Sequence, residues 1–397
     1  MTTDNLSFVL LGSSPFALWG IESQERLRRA LRRAGITREL ASGAQGLGAG
    51  TLLIRVDHVY DESVIRALIR NPGYLLVSEA GLPVAAHVNQ GGDVAVASAL
   101  LQDPAGRPDM PLPPGLTAVA DPAKLASTYN HALRKRARPY VLPLTEATLP
   151  AIEHRMFHGA YKGVTDFITK YVWPVPAMAV TRWCAKRRIT PNTVTFVSFL
   201  CVLAAMWLFW HGQFIAGLCA AWMMCFLDTV DGKLARVTLT STKFGDVFDH
   251  GIDLIHPPFW YYAWYIGQGG DMGNSAEGVL QMMALWVILA GYVLGRAQEG
   301  LFIWLYRIEI HTWRPIDSWF RLITARRNPN LFILTIAALA GRPAEGFLAV
   351  AAWTILSFLF HCCRIAQAGW HRMTGQRPYS WLTEPIKAEN AGGSRAS

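Results

Sequence analysis

The chain reads as a soluble α/β portion followed by an all-α polytopic membrane domain with six transmembrane helices. Three observations predict this. Apolar residues make up 52% of the 397 residues and charged ones only 16%, with a mean hydropathy of +0.22, too greasy for an ordinary soluble protein. The long apolar segments crowd into the second half, whereas the first half alternates short apolar runs with amphipathic stretches. Two pairs of aspartates, Asp228/Asp231 and Asp249/Asp253, lie within apolar segments, where a carboxylate is costly and implies function.

The net charge of +9 is no nucleic-acid footprint, because Lys and Arg gather beside apolar segments; no nucleic-acid partner is expected. Six cysteines without CxxC pairing (Cys184, Cys201, Cys219, Cys225, Cys362, Cys363) read as small apolar residues, neither a disulfide framework nor a zinc site. The opening MTTDNLSFVLLG lacks the basic region and cleavage site of a secretory signal.

Residues 1–150 form the first domain. Ser7–Gly12 is a strand ending in a Gly-Ser-Ser-Pro turn, and Glu22–Ala34 an amphipathic helix with Leu27 and Leu31 inward, stopped by Gly35. Thr51–Val59, Tyr74–Ser78 and Pro83–Val88 read as strands and Glu62–Arg70 as a helix, which predicts helices on a mostly parallel sheet. Gly91–Pro114 reads mostly as loops and Asp121–Arg138 as a polar helix with a basic end. The five arginines of the first helix (Arg26, Arg28, Arg29, Arg32, Arg33) make either a phosphate patch or a solvated face, the second being the plainer reading.

This domain resembles a nucleotidyltransferase: a strand, the loop Gly12-Ser13-Ser14-Pro15, an arginine-bearing helix, and Asp57 where that family keeps a metal-binding aspartate. The loop lacks the family's run of glycines and its triphosphate-gripping basic residue. A degenerate or repurposed domain is the preferred reading, with an active cytidylyltransferase as the alternative.

Residues 151–192 read as interfacial linker helices. Gly163–Arg188 mixes Trp173, Trp183 and Tyr171 with a terminal basic cluster, and Pro174 and Pro176 break any single long helix there. The membrane domain, residues 193–370, holds six apolar segments at 193–210, 214–237, 246–267, 276–298, 328–341 and 343–366. The first reaches about 27 Å as a helix, near the hydrocarbon thickness. Lys186–Arg188, Lys233, Arg236, Lys243, Arg326 and Arg327 all fall on one side of this stack, with Arg342 the exception. The positive-inside rule puts both termini and the Asp228–Asp253 connection on the cytoplasmic side of the cell inner membrane. Residues 371–397 form a cytoplasmic tail with a Gly/Ser/Ala-rich, disordered end.

The chemistry concentrates in DTVDGKLARVTLTSTKFGDVFDHGID, residues 228–253. Asp228 and Asp231 share one helix face, and Asp249 and Asp253 another. Four carboxylates brought together would repel unless neutralised; hard oxygen ligands suit Mg²⁺ or Mn²⁺, and a pair of such ions is a recurring phosphoryl-transfer device. Gly232, Ala235 and Gly245 keep the walls small, and Arg236 and Lys243 suit phosphate oxygens. Asp246 reads as a solvated carboxylate at the helix start, with guarding the site as the alternative, His256 as packing or substrate-facing, and Pro257-Pro258 as a kink.

These residues spell D-x2-D-G-x2-A-R-x8-G-x3-D-x3-D, and the chain resembles the CDP-alcohol phosphotransferase family in all fixed positions and in the lead-in Thr190-Pro191-Asn192. The domain order is similar to bifunctional inositol-phosphate cytidylyltransferase/di-inositol-phosphate-phosphate synthases and their relatives with a degenerate first domain. The resemblance implies transfer of a substituted phosphate from a CDP-linked donor, CDP-diacylglycerol being favoured, to an alcohol acceptor with release of CMP, in phospholipid biosynthesis among membrane lipids. It implies two ions, Mg²⁺ or Mn²⁺, on Asp228, Asp231, Asp249 and Asp253, with Asp253 as general base. Gly232, Ala235, Arg236 and Gly245 would admit the cytidine diphosphate. Lys162, Lys170, Arg326 and Arg327 are the candidates for gripping an acceptor phosphate, and a homodimer is a family expectation. A CDP-polyol donor remains open. A membrane prenyltransferase would explain the paired aspartates but not Gly232, Ala235-Arg236 and the interval to Gly245. A transporter would want an internal repeat, and none is evident.

Overall fold

The computed structural model describes residues 6–41, 50–103, 111–270 and 275–383. The first domain is built on a six-stranded sheet in the order Arg38–Glu39, Leu6–Leu11, Gly50–Arg55, Pro83–Asn89, Tyr74–Val77, Ala118–Ala120. The sheet is mixed, not mostly parallel: Pro83–Asn89 runs antiparallel to both neighbours. The reason is local. Only a short turn through Gly81, at φ +78°, joins it to Tyr74–Val77, and a parallel pairing needs a crossover of about a dozen residues.

Helices α1 (Ser23–Arg33) and α2 (Glu62–Arg70) cover one face, with Leu27, Leu31, Val64 and Leu68 packed on Phe8, Leu52 and Ile54. Helix α3 (Val94–Gln102) covers the other, placing Ala97 and Leu101 against Val9, Leu53 and Leu75. It lies inside the stretch read as loops: Asp93 caps it by accepting from Ala95 and Val96 N–H, both at 3.0 Å. The helix expected over Asp121–Arg138 is absent. One turn, α4 (Pro122–Leu125), gives way to a hairpin of Tyr129–Asn130 and Lys135–Arg136, because Ser127, Thr128 and Asn130 favour local side-chain bonds over helix. The strand expected over Thr51–Val59 divides at Val56–Asp57, and its second piece, His58–Tyr60, pairs with Val141–Pro143.

Two linker helices follow, α5 (Leu149–Gly159) and α6 (Pro174–Lys186). Pro174 and Pro176 start α6, where their missing N–H groups leave no helix bond unmade. Beyond them come α7 (Pro191–Trp210), α8 (Phe214–Val237), α9 (Lys243–Gly267), α10 (Ala276–Tyr306), α11 (Pro315–Phe320), α12 (Arg327–Leu339) and α13 (Pro343–Met373). Among the described residues, four of these, α7, α8, α10 and α13, are long and apolar enough to cross a membrane. Helix α9 falls outside that group, and α12, with 13 residues, spans about 20 Å. Trp207, Met223, Trp286, Val293 and Leu356 point outward, as expected of an integral membrane protein. The end of the tail, from residue 384, lies outside the described residues.

Helix α7 packs against both α8 and α9, and α13 against both α10 and α12. Phe209 sits 5.0 Å from Trp264, Trp260 donates to Val202 O at 3.0 Å, and Asn330 donates to Tyr261 Oη at 2.7 Å. Pro257 and Pro258 lie inside α9. Pro258 cannot donate to Leu254 O, and the Tyr292 hydroxyl of α10 does so instead at 2.8 Å.

The two halves are joined closely. Leu18, Trp19, Val59, Ile152, Phe157, Ala185, Val230, Leu234 and Val237 form one buried cluster from the first domain through the linker to α8. On α1, Arg26 and Arg29 donate to Val237 O and Thr238 O at 2.5 and 3.0 Å, and Arg33 to Ser241 Oγ. Arg28 pairs instead with Glu39 at 2.8 Å. The arginine face is therefore largely a docking face.

A buried ion pair fastens α13 to α11. Arg364 of α13 donates through Nε and Nη2 to Asp317 of α11 at 2.5 and 2.9 Å, with side-chain exposures of 7% and 2%. Removing one partner strands the other charge, so Asp317→Ala should lower stability by about 3–5 kcal/mol. Thermal unfolding in detergent would measure this, with Asp317→Leu/Arg364→Met losing less than the single variant.

Candidate active site

The last turns of α8 and first turns of α9 carry the aspartate stretch. Helical phase sets Asp231 on the buried face of α8 with Val230 and Leu234, and Asp228 beside it. Carboxylate oxygens of Asp228, Asp231 and Asp249 all lie within 4.8 Å of one another. Thr195, one turn into α7, donates to Asp231 Oδ2 at 2.6 Å. Among the described residues, Asp231 Oδ1 is buried with no hydrogen-bond partner. An orphaned carboxylate oxygen facing two further carboxylates fits a hard divalent cation, which takes oxygen ligands and neutralises their charge.

Asp253 stands outside that trio. The Arg327 guanidinium, at the start of α12, donates to Asp228 Oδ2 at 2.5 Å and to Asp253 Oδ1, so one cation links both ends of the stretch. Arg327 was expected among acceptor contacts; no local pattern reveals its partners, 99 and 74 residues away.

The small residues differ in what surrounds them. A Cβ on Gly245 would come 2.5 Å from Asn192 Oδ1, so Gly245 lets α9 seat against the start of α7. A Cβ on Gly232 would meet nothing nearer than the Arg236 guanidinium at 3.6 Å, which leaves that wall open. Ala235 is partly buried one turn on. Arg236 donates to Ala160 O at 3.2 Å, tying α8 to the linker. Lys233 lies buried with its ammonium 3.8 Å from the Tyr161 ring. His256 Nδ1 bonds Ile252 O at 2.6 Å, a packing role. The side chain of Asp246 lies outside the described residues.

Asp253 and Arg327 also border a cavity of about 140 Å³ between α9, α10, α12 and α13, which Arg296, Arg321, Arg326 and His361 line further. Arg321 Nε and Nη1, His361 Nε2 and Asn328 Oδ1 are buried around it without hydrogen-bond partners. The unmatched Arg321 nitrogens fit an anionic group, and the Asn328 oxygen fits a donor such as a hydroxyl. Of the four expected acceptor contacts, Arg326 and Arg327 line the cavity. Lys162 and Lys170 do not; Lys170 lies 5.5 Å from the Tyr171 ring.

Asp57 is engaged otherwise than a metal ligand would be. Arg55 donates to both its oxygens at 3.0 and 2.5 Å, and His58 Nδ1 lies 2.7 Å from Oδ1. Burial pushes its carboxyl up, but the bonds to His58 and Arg55 outweigh this and hold it well below the usual carboxylate range. A depressed folded-state pKa gives stability present above the unfolded value and lost as pH falls through the folded one. Asp57→Asn should therefore cost about 1 kcal/mol at pH 7, kept small by the 38% exposure of the side chain. The gap should narrow as pH falls below about 4 in matched thermal melts.

Comparison with known proteins bears on the same stretch. Residues 188–360 match the family model described as CDP-alcohol phosphatidyltransferase. An archaetidylinositol phosphate synthase of Pyrococcus horikoshii is 39% identical over 79 residues, 20% of this chain and 42% of that protein. A phosphatidylinositol phosphate synthase of Streptomyces avermitilis is 28% identical over 152 residues, 37% of this chain and 57% of that protein. The chain thus spans about half the length of these curated relatives. The phosphatidylinositol phosphate synthase of Mycobacterium tuberculosis has been solved with CDP-DAG bound and with manganese and citrate. These structures align at TM-scores of 0.36 and 0.37 and identities of 17% and 18%, covering 48% of this chain and 92% and 88% of theirs.

Proposed function

Since residues 188–360 form a domain of the CDP-alcohol phosphatidyltransferase family, we propose that this chain transfers a substituted phosphate from a CDP-linked donor to an alcohol, releasing CMP. The observation that carries the reading is the Asp228, Asp231 and Asp249 cluster on the motif helices, with one oxygen of Asp231 unpartnered. These three side chains would hold a divalent cation, Mg²⁺ or Mn²⁺, with Asp253 completing the set for a second. Bound there, the ions supply neutralisation of phosphate charge and of the leaving group.

The protein's own residues do the rest. The open wall at Gly232 and Ala235 admits the cytidine diphosphate, Gly245 keeps the helices close, and Arg236 holds the rim. The acceptor hydroxyl oxygen bonds to the phosphorus carrying the donor's substituent. The bond from that phosphorus to the oxygen of CMP breaks, CMP keeps the electron pair, and the hydroxyl proton passes to Asp253. Arg327 orients Asp253 at the mouth of the cavity. The arginines and unmatched polar atoms of that cavity support an acceptor alcohol that itself bears phosphate.

In this reading all of α7–α10, α12 and α13 span the membrane, giving six spans. Both termini and the site face the cytoplasm at the inner membrane. The first domain is a degenerate nucleotidyltransferase, since Asp57 is consumed by Arg55 and His58. A lipid donor, CDP-diacylglycerol, follows from a domain unable to make its own activated polyol; synthesis from a CDP-polyol is the second reading.

Purified protein with Mg²⁺ should release CMP from CDP-diacylglycerol in the presence of a phosphorylated polyol. Absence of CMP with any CDP-linked donor sinks the proposal. Asp253→Asn should reduce release by about 10²–10⁴-fold with folding intact; full activity would remove Asp253 as the base. Arg321→Gln should raise the acceptor KM about tenfold and leave the donor KM unchanged.

A further inference from the structure

The first domain contributes none of the carboxylates, yet it grips the piece of chain that sets their spacing. The backbones of α8 and α9 approach each other far less than each approaches α7, so α7 and the turn between them fix their mutual register. That turn is demanding. Leu239 holds a left-handed φ of +53°, which a side chain adopts at a cost, and it is buried. Thr238 Oγ1 lies 2.7 Å from Thr240 Oγ1, and Thr242 caps α9 by accepting from Gly245 N–H at 3.0 Å. Gly245 in turn seats against Asn192, and Asp249 follows one helical turn later. A shift of the turn is therefore a shift of Asp249 against Asp231.

The turn is held from outside by Arg26, Arg29 and Arg33, which share one face of α1 at i, i+3 and i+7. Two of them donate to carbonyls at the C-terminal end of α8, where helix groups lack partners and a cation is favourable. Behind them Trp19, Val230, Leu234 and Val237 share one buried cluster.

The geometry points to the first domain as a positioning clamp: Arg26, Arg29 and Arg33 hold the 238–242 turn so that the α8 and α9 carboxylates share one cation site. Cation affinity in the membrane domain then depends on a domain that never touches the ion. This rests on the metal reading proposed above.

The test uses the full chain in detergent. Arg26→Gln/Arg29→Gln/Arg33→Gln should speed amide exchange over residues 239–242 at least tenfold while exchange in α10 and α13 stays the same. It should raise the Mn²⁺ Kd, read by electron paramagnetic resonance, about three- to tenfold, and the matching triple Lys variant should recover much of both, since lysine keeps the charge with fewer donors. Should the triple Gln variant not fold, Arg29→Gln/Arg33→Gln decides, both side chains being about one-third exposed. Unchanged exchange at the turn, or faster exchange with an unchanged Kd, overturns the clamp. Asp231→Asn separates the two readings: if it leaves Mn²⁺ binding intact, the metal site fails, and exchange at the turn alone decides the clamp.

Discussion

Carboxylates enclosed by apolar helices must be neutralised, and the whole membrane half answers to that requirement. An ionised carboxylate shut away without a partner costs several kcal/mol. Asp231 receives one bond from Thr195, and Asp228 and Asp253 share the Arg327 guanidinium. Arg327 sits in the first turn of α12, where the helix dipole disfavours a cation. The two carboxylates override that preference. They also give a reason for a helix as short as α12, whose start must reach the centre of the bundle.

The same requirement explains how the site and its neighbouring cavity are related. Arg327 borders both, with Asp228 on one side and Asp253 and the cavity on the other. Charge neutralisation and access thus depend on one side chain. Around it, Arg326 is paired with Glu299, whereas two nitrogens of Arg321 have no partner. The cavity therefore keeps unused donors, and a polar group entering it would replace water with directed bonds.

What was legible in the sequence was what local periodicity controls. The faces shared by Asp228 with Asp231, and by Asp249 with Asp253, follow from helical phase, and the bounds of α2, α7 and α8 follow from caps and apolar runs. Contacts closed by the tertiary fold were hidden. Thr195 and Asp231 are 36 residues apart, and no spacing rule joins them. The small side of Gly245 was legible as smallness but not as room for Asn192. Asp57 is a different case. Its partners Arg55 and His58 lie within two positions, so the sequence held the signal, and the likeness to a metal-binding aspartate drew attention from it. The helix missed at Val94–Gln102 was masked by flanking Gly, Asp and Pro, although Asp93 before an apolar run is a start signal.

The cluster running from Trp19 through Phe157 to Val237 has a consequence for how the molecule is made. Translation delivers the α/β layer to completion before α8 emerges, and domains generally fold as they are synthesised. When α8 arrives, Trp19 and the arginine face of α1 already stand as a template. On that order, a bundle synthesised alone would lack the surface that Trp19 and the α1 arginines present to α8.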